Sequence, residues 1–157
     1  MGDSELISRC GIYCGACYVY RAERDCGDFL RETAKWQGVE IDQVNCKGCL
    51  APDDEKWPNC TKCYPVKCLK EKGLEFCHEC DEFNNHTCQE YAKYEEFTAK
   101  RGENIRLNLI KMKTGNGGYL KRLDERWRCP HCNENYSWYE EKCHHCGKNL
   151  NRTDLKP

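Results

Sequence analysis

Short apolar runs at helical spacing, interrupted by glycine, proline and cysteine, set the pattern of this chain. Phe29, Leu30 and Thr33/Ala34 share one face of a stretch from about Tyr18 to Trp36, with a break near Cys26-Gly27 and Gly38 as its C′ stop. Pro65 suits the first turn of a short helix through Lys72, ended by Gly73 and carrying Cys68. From Asp81 to about Lys100, Tyr91, Tyr94 and Phe97 recur every three residues and mark a core-facing side. Ile105, Leu109 and Met112 define an amphipathic helix to Thr114, and a last helix spans Tyr119–Trp127. Between these two, Gly115-Asn116-Gly117-Gly118 reads as a loop. It lacks both the G-K-[S/T] ending of a phosphate-binding loop and a preceding strand.

The apolar content of these elements is low. Hydrophobic residues make up 39% of the 157 positions, but 16 of them are cysteines. Ordinary apolar content is therefore about 29%, too little for one large core. No run approaches the ~18 apolar residues of a membrane span, and Met1–Cys10 shows no signal-peptide pattern. These features exclude a large single-core enzyme and lead us to expect a cytoplasmic protein.

Twelve of the cysteines form six C-x-x-C pairs: Cys14/Cys17, Cys46/Cys49, Cys60/Cys63, Cys77/Cys80, Cys129/Cys132 and Cys143/Cys146. The other four are Cys10, Cys26, Cys68 and Cys88. Two intervening residues let a tight turn aim both sulfurs at one point, as two ligands of a tetrahedral ion require. A disulfide scaffold would need an oxidising compartment and an export signal. Sixteen cysteines divide in chain order into four sites: Cys10/Cys14/Cys17/Cys26, Cys46/Cys49/Cys60/Cys63, Cys68/Cys77/Cys80/Cys88 and Cys129/Cys132/Cys143/Cys146. Interleaved pairing remains an alternative for the first three.

The last group, with ten residues between its pairs, has the signature of a zinc ribbon. Each pair would sit on a hairpin turn, with Asn135–Glu141, containing Tyr136, Trp138 and Tyr139, as strand between them. A segment of ~20 residues cannot bury enough surface to fold alone, so Zn(II) would supply the folding free energy. His131, His144, His145 and His78 lie between cysteines and are expected to point outwards, while His86 is the one histidine placed to replace a cysteine ligand. The expected fold class is a small metal-stabilised α+β protein, mostly short helices around cysteine knuckles with a C-terminal β-hairpin zinc ribbon. Residues 1–100 form a cysteine-rich metal-binding domain, 101–127 a basic helical connector, 128–150 the ribbon and 151–157 a tail.

The spacing Cys10-x3-Cys14-x2-Cys17 matches the cluster motif of radical S-adenosylmethionine enzymes, but no barrel can be built from the remaining residues. The C-x2-C-x2-C-x3-C-P run of bacterial ferredoxins is absent. The ordered series Cys10-Gly-x-x-Cys14-x-x-Cys17, Cys46-x-Gly48-Cys49, Cys60-x-x-Cys63-x4-Cys68, Lys72-Gly73 and Cys77-x-x-Cys80-x7-Cys88 resembles domain-of-unknown-function family 3795. The resemblance runs over about residues 8–149, including Arg126-Trp127-Arg128 before the ribbon. It implies a cytoplasmic metal-binding protein of unassigned role. Cys26 falls outside the family pattern, and without it the first site has three cysteines and an open position.

No nucleophile–base pair stands out, and Asp53/Asp54 lie in a proline-containing loop expected to be solvated. The leading expectation is a non-enzymatic multi-zinc module acting as an adaptor. The alternative is an iron–sulfur protein for redox or sulfur handling that uses the N-terminal cysteines. Residues 1–100 hold 13 basic and 19 acidic side chains, and residues 101–157 hold 12 and 7. Zinc tetrathiolates, each carrying −2, would lower the formal net charge from −1 to about −9 and sharpen this polarity. A protein partner is favoured. A nucleic acid is the competing partner, contacted by Arg101, Arg106, Lys111, Lys113, Lys121, Arg122, Arg126 and Arg128, with Trp127, Tyr136 or Trp138 for stacking.

Overall fold

Cysteines stand at the N-terminal ends of several helices in the computed structural model, which describes residues 6–115 and 118–152. The first helical stretch is two helices, α1 (Tyr18–Asp25) and α2 (Gly27–Gln37). Cys26 breaks it, with φ 56° and ψ −152°, a backbone region that only glycine enters without strain. Gly38 closes α2 in the left-handed conformation at φ 66°, the cap expected at that position. A four-residue helix α3 (Pro58–Thr61) precedes α4 (Tyr64–Lys72), which ends on Gly73 at φ 66°.

The stretch expected as one helix from Asp81 to Lys100 is also two, α5 (Asp81–Asn84) and α6 (Gln89–Ala99). The chain turns between them, with His86 at φ 58°. Of the three aromatics on α6, Tyr91 is buried, Tyr94 half-buried and Phe97 exposed beneath the Arg101 guanidinium at 3.7 Å. The core face of α6 is thus narrower than its spacing implied. Next come α7 (Ile105–Lys113), capped by Asn104 accepting the Leu107 N–H at 2.9 Å, and α8 (Tyr119–Arg126). Asn116 and Gly117 of the expected glycine loop lie outside the described residues.

The expected C-terminal β-hairpin does not form among the described residues, so the fold is mostly helical. Only isolated antiparallel bridges occur: Ile7 with Tyr13, Arg128 with Asn135, and Lys142 with Asn149. The reason lies in where the backbone N–H groups of Asn135–Glu141 go. Tyr136 donates to Trp127 O at 3.0 Å, Ser137 to the Glu140 carboxylate at 2.5 Å, and Trp138 to Ala16 O at 3.2 Å. Three different partners replace the single neighbouring strand that a hairpin requires.

Two apolar clusters hold these pieces. The larger joins Ile7, Tyr13 and Ala16 to Phe83, Tyr91, Ile105, Leu109, Leu123 and Trp127, and continues into Tyr136, Trp138, Cys143 and Leu150. The smaller packs Val19, Ala22 and Ala34 against Val44, Cys46 and Trp57. Gly11 lets the first cysteine loop reach α7. It sits at φ 97°, and a Cβ there would lie 2.0 Å from Ile105 O. The loop is fastened by Asn108 Nδ2 donating to Gly11 O at 2.7 Å and Tyr91 Oη donating to Cys10 O at 2.8 Å. No helix among the described residues is long and apolar enough to cross a membrane.

Candidate metal centres

At the C-terminus the four cysteines converge. Cys129 and Cys146 sulfurs lie 3.8 Å apart, Cys132 and Cys143 3.7 Å, and all four are within 4.8 Å of one another. A zinc ion with Zn–S bonds of ~2.3 Å in tetrahedral geometry sets sulfurs about 3.8 Å apart, so the quartet fits such an ion. The two loops are built alike. Asn133 N–H donates to Cys129 O at 2.9 Å, and Gly147 N–H to Cys143 O at 2.7 Å. Both donors adopt positive φ, 63° and 71°. Burial opposes ionisation of Cys129, but the N–H groups of His131 and Cys132 and the neighbouring thiols pull it down to about 7.

The N-terminal cysteines are arranged differently. Cys10, Cys14, Cys17, Cys46, Cys49, Cys60 and Cys63 line one cavity of about 230 Å³, walled by Tyr18, Val19, Trp57 and Tyr94. Cys68, Cys77, Cys80 and Cys88 line a second, smaller one with Tyr64, Leu69, Phe83 and Tyr91. The second set is the third chain-order group. The first mixes pairs from the other two. Cys26 belongs to neither lining. It is exposed, with Sγ 3.4 Å from Glu23 O in the last turn of α1. Among the described residues, no cysteine set in 10–88 closes to the spacing of the C-terminal quartet.

Local sequence explains how these sulfurs are presented. Cys17, Cys63 and Cys88 are the residues immediately before α1, α4 and α6. Tyr91 N–H donates to Cys88 Sγ at 3.4 Å. Lys72 Nζ lies 3.3 Å from Cys80 Sγ, and Ser8 Oγ 3.3 Å from Cys10 Sγ. For Cys10, Cys14 and Cys17 burial dominates without a cation. It pushes Cys10 up to about 12 and Cys17 up to about 11, and holds Cys14 well above the usual thiol value. These thiols become ligands only when a metal replaces their protons.

The basic residues are mostly engaged. Arg106 forms a bidentate pair with Glu95 at 2.6 and 2.9 Å and donates to Phe83 O. Arg128 pairs with Asp124 at 2.7 Å, Arg126 donates to Gly102 O at 2.8 Å and Arg101 to Phe97 O at 2.7 Å. Lys111 is half-buried, whereas Lys113, Lys121 and Arg122 are exposed. Trp127, Tyr136 and Trp138 are buried, which removes them as stacking surfaces. His86, His131 and His145 are exposed, and His78 is half-buried against Phe76. His144 contradicts the outward expectation: it is wedged between Asp25 and Glu140 at 3.0 and 2.8 Å. Asp25, 119 positions away, and Glu140 carry no motif that could have flagged them.

Comparison with known proteins agrees with the cysteine order. The family model described as Protein of unknown function (DUF3795) matches residues 6–93, more than half of the chain. The protein is a member of that family. No curated protein and no solved structure matches it.

Proposed function

We propose that this protein carries iron–sulfur clusters in its family domain and a single zinc ion in its C-terminal quartet, and that it serves redox chemistry with a protein partner. The observation that carries this reading is the contrast in sulfur spacing. A single zinc ion draws four sulfurs to ~3.8 Å, close to the Cys129–Cys146 and Cys132–Cys143 distances in a quartet that lies within 4.8 Å. A cluster of several irons and sulfides holds its cysteines apart around a cavity, which is how eleven cysteines of residues 10–88 stand. Cys68, Cys77, Cys80 and Cys88 would hold one cluster. Seven cysteines around the larger cavity would hold the rest, leaving an iron position without a cysteine if two four-iron clusters form. When bound, the clusters supply one-electron transfer. The chain's own residues exclude water with Trp57, Tyr91 and Phe83, and offer Lys72 Nζ and Tyr91 N–H to cluster-ligand sulfurs. Tyr64, exposed on the wall of the smaller cavity, puts that site just beneath the surface where a partner can approach.

Purification without oxygen, followed by iron, zinc and acid-labile sulfide analysis, tests this. The expected preparation is brown, bleaches with dithionite, and holds one zinc for the quartet with iron and sulfide in excess. A colourless protein with four zinc ions and no sulfide would overturn this reading and leave a multi-zinc protein.

A further inference from the structure

The second loop of the C-terminal quartet also carries a group of ligand-type side chains that the reading above does not use. Asp25, the last residue of α1, sets Oδ2 3.0 Å from His144 Nε2 and 3.6 Å from His145 Nε2. The three ligand atoms lie within 4.8 Å of one another. A first-row divalent ion ~2.1 Å from nitrogen and oxygen donors in tetrahedral geometry spaces those donors roughly 3.4 Å apart, between the two observed distances.

His144 is already aimed. Its Nδ1 lies 2.8 Å from Glu140 Oε1, its backbone N–H donates to the same oxygen at 2.9 Å, and its ring stacks on Phe29 at 4.1 Å. Glu140 is itself fixed by the Ser137 N–H at 2.5 Å. A carboxylate holding one imidazole nitrogen so that the other faces an ion is the usual outer arrangement of a metal-binding histidine. Asp25 ends a helix, where the macrodipole disfavours a carboxylate and favours a cation. Arg21 Nε also faces Asp25 Oδ2, at 3.4 Å. Asp25, His144 and Glu140 are largely buried, while His145 is more open, on the side where a water could complete the coordination.

We propose that Asp25, His144 and His145 form a second, thiolate-free site for one first-row divalent cation, Zn(II) by its donor set, with Glu140 as the positioning residue. The ion would clamp the end of α1 to the Cys143–Cys146 loop, joining the family domain to the C-terminal quartet. This does not depend on which metal residues 10–88 hold.

The test uses the full chain with its cysteine sites loaded, dialysed against Zn(II) with a weak chelator. Wild type should bind one zinc more than the cysteines account for, and Asp25→Asn and His145→Ala should each lose it. Glu140→Gln, which keeps the shape, should weaken it about 10–100-fold. In parallel, Co(II) in the quartet reports its thiolate charge-transfer bands, which should be unchanged in His145→Ala and so separate loss of the ion from loss of the fold. Should Asp25→Asn fail to fold, His145→Ala at its open position decides. Absence of the additional zinc in wild type, or its retention in His145→Ala, would reduce the cluster to an ion pair and overturn the proposal.

Discussion

Glu103 is 2% exposed at the junction of the first cysteine loop and α7. Its Oε2 accepts from Asn108 Nδ2 at 3.0 Å, and Asn108 Oδ1 in turn accepts from Tyr119 Oη at 2.7 Å. Burial raises its carboxyl to about 7, against an ordinary value of 4.5, although Asn108 and Arg126 pull the other way. The unfolded chain therefore releases this proton before the folded one does. Stability from this group is fullest below about pH 4.5 and is lost as pH rises towards 7, by roughly 3 kcal/mol. Glu103→Gln keeps the shape and the Asn108 bond but cannot ionise. Urea unfolding from pH 5 to 8 should show the stability difference, variant minus wild type, growing with pH across this window. Parallel curves would mean that Glu103 does not titrate there. Metal release at low pH affects both proteins alike, so the difference isolates the carboxyl.

Among elements, the α1–α2 junction offers the clearest experiment. Cys26 occupies a glycine-only backbone region, exposes its thiol and touches neither cysteine cavity. Cys26→Gly should relieve ~1–3 kcal/mol of strain against ~0.5–1 kcal/mol of added unfolded-state entropy, a net gain of about 1 kcal/mol. Thermal unfolding should show a midpoint higher by about 2–4 °C with metal content unchanged. Loss of metal would instead make Cys26 a ligand. The break at this junction and the stops at Gly38 and Gly73 were legible in the sequence because each follows from the backbone chemistry of one or two residues. The strand expected over Asn135–Glu141 was not. Alternation describes side chains, whereas the N–H groups of Tyr136, Ser137 and Trp138 are claimed by Trp127, Glu140 and Ala16. Likewise, the C-x-x-C spacing announced every pair. It could not say that Cys46/Cys49 and Cys60/Cys63 share a cavity with Cys10, Cys14 and Cys17, because that depends on how segments distant in sequence come together.

At the scale of the whole molecule, the same limit applies to independence. The last four cysteines are local in sequence and invite the picture of a self-contained module. Yet Cys129 and Cys143 are buried in the cluster that contains Ile7, Tyr13, Ile105 and Leu109, and Trp138 N–H bonds to Ala16 O. Arg152 ties the end of the described chain back through Arg101 O at 2.8 Å. The zinc ion proposed for the quartet would contribute on the order of 10 kcal/mol, comparable to the entire stability of a typical domain at ~5–15 kcal/mol. Removing it should therefore not unfold the C-terminus alone. With quartet and family domain sharing one core, Cys143→Ser should destabilise the whole described chain and render the N-terminal metal labile as well. Circular dichroism for helix content, tryptophan fluorescence for the buried Trp127 and Trp138, and released metal should fall in one coincident transition, at a lower temperature than in wild type. If fluorescence and one metal equivalent were lost first, with helix content and the remaining metal persisting to the wild-type midpoint, the C-terminal quartet would be a separate unit resting on the family domain.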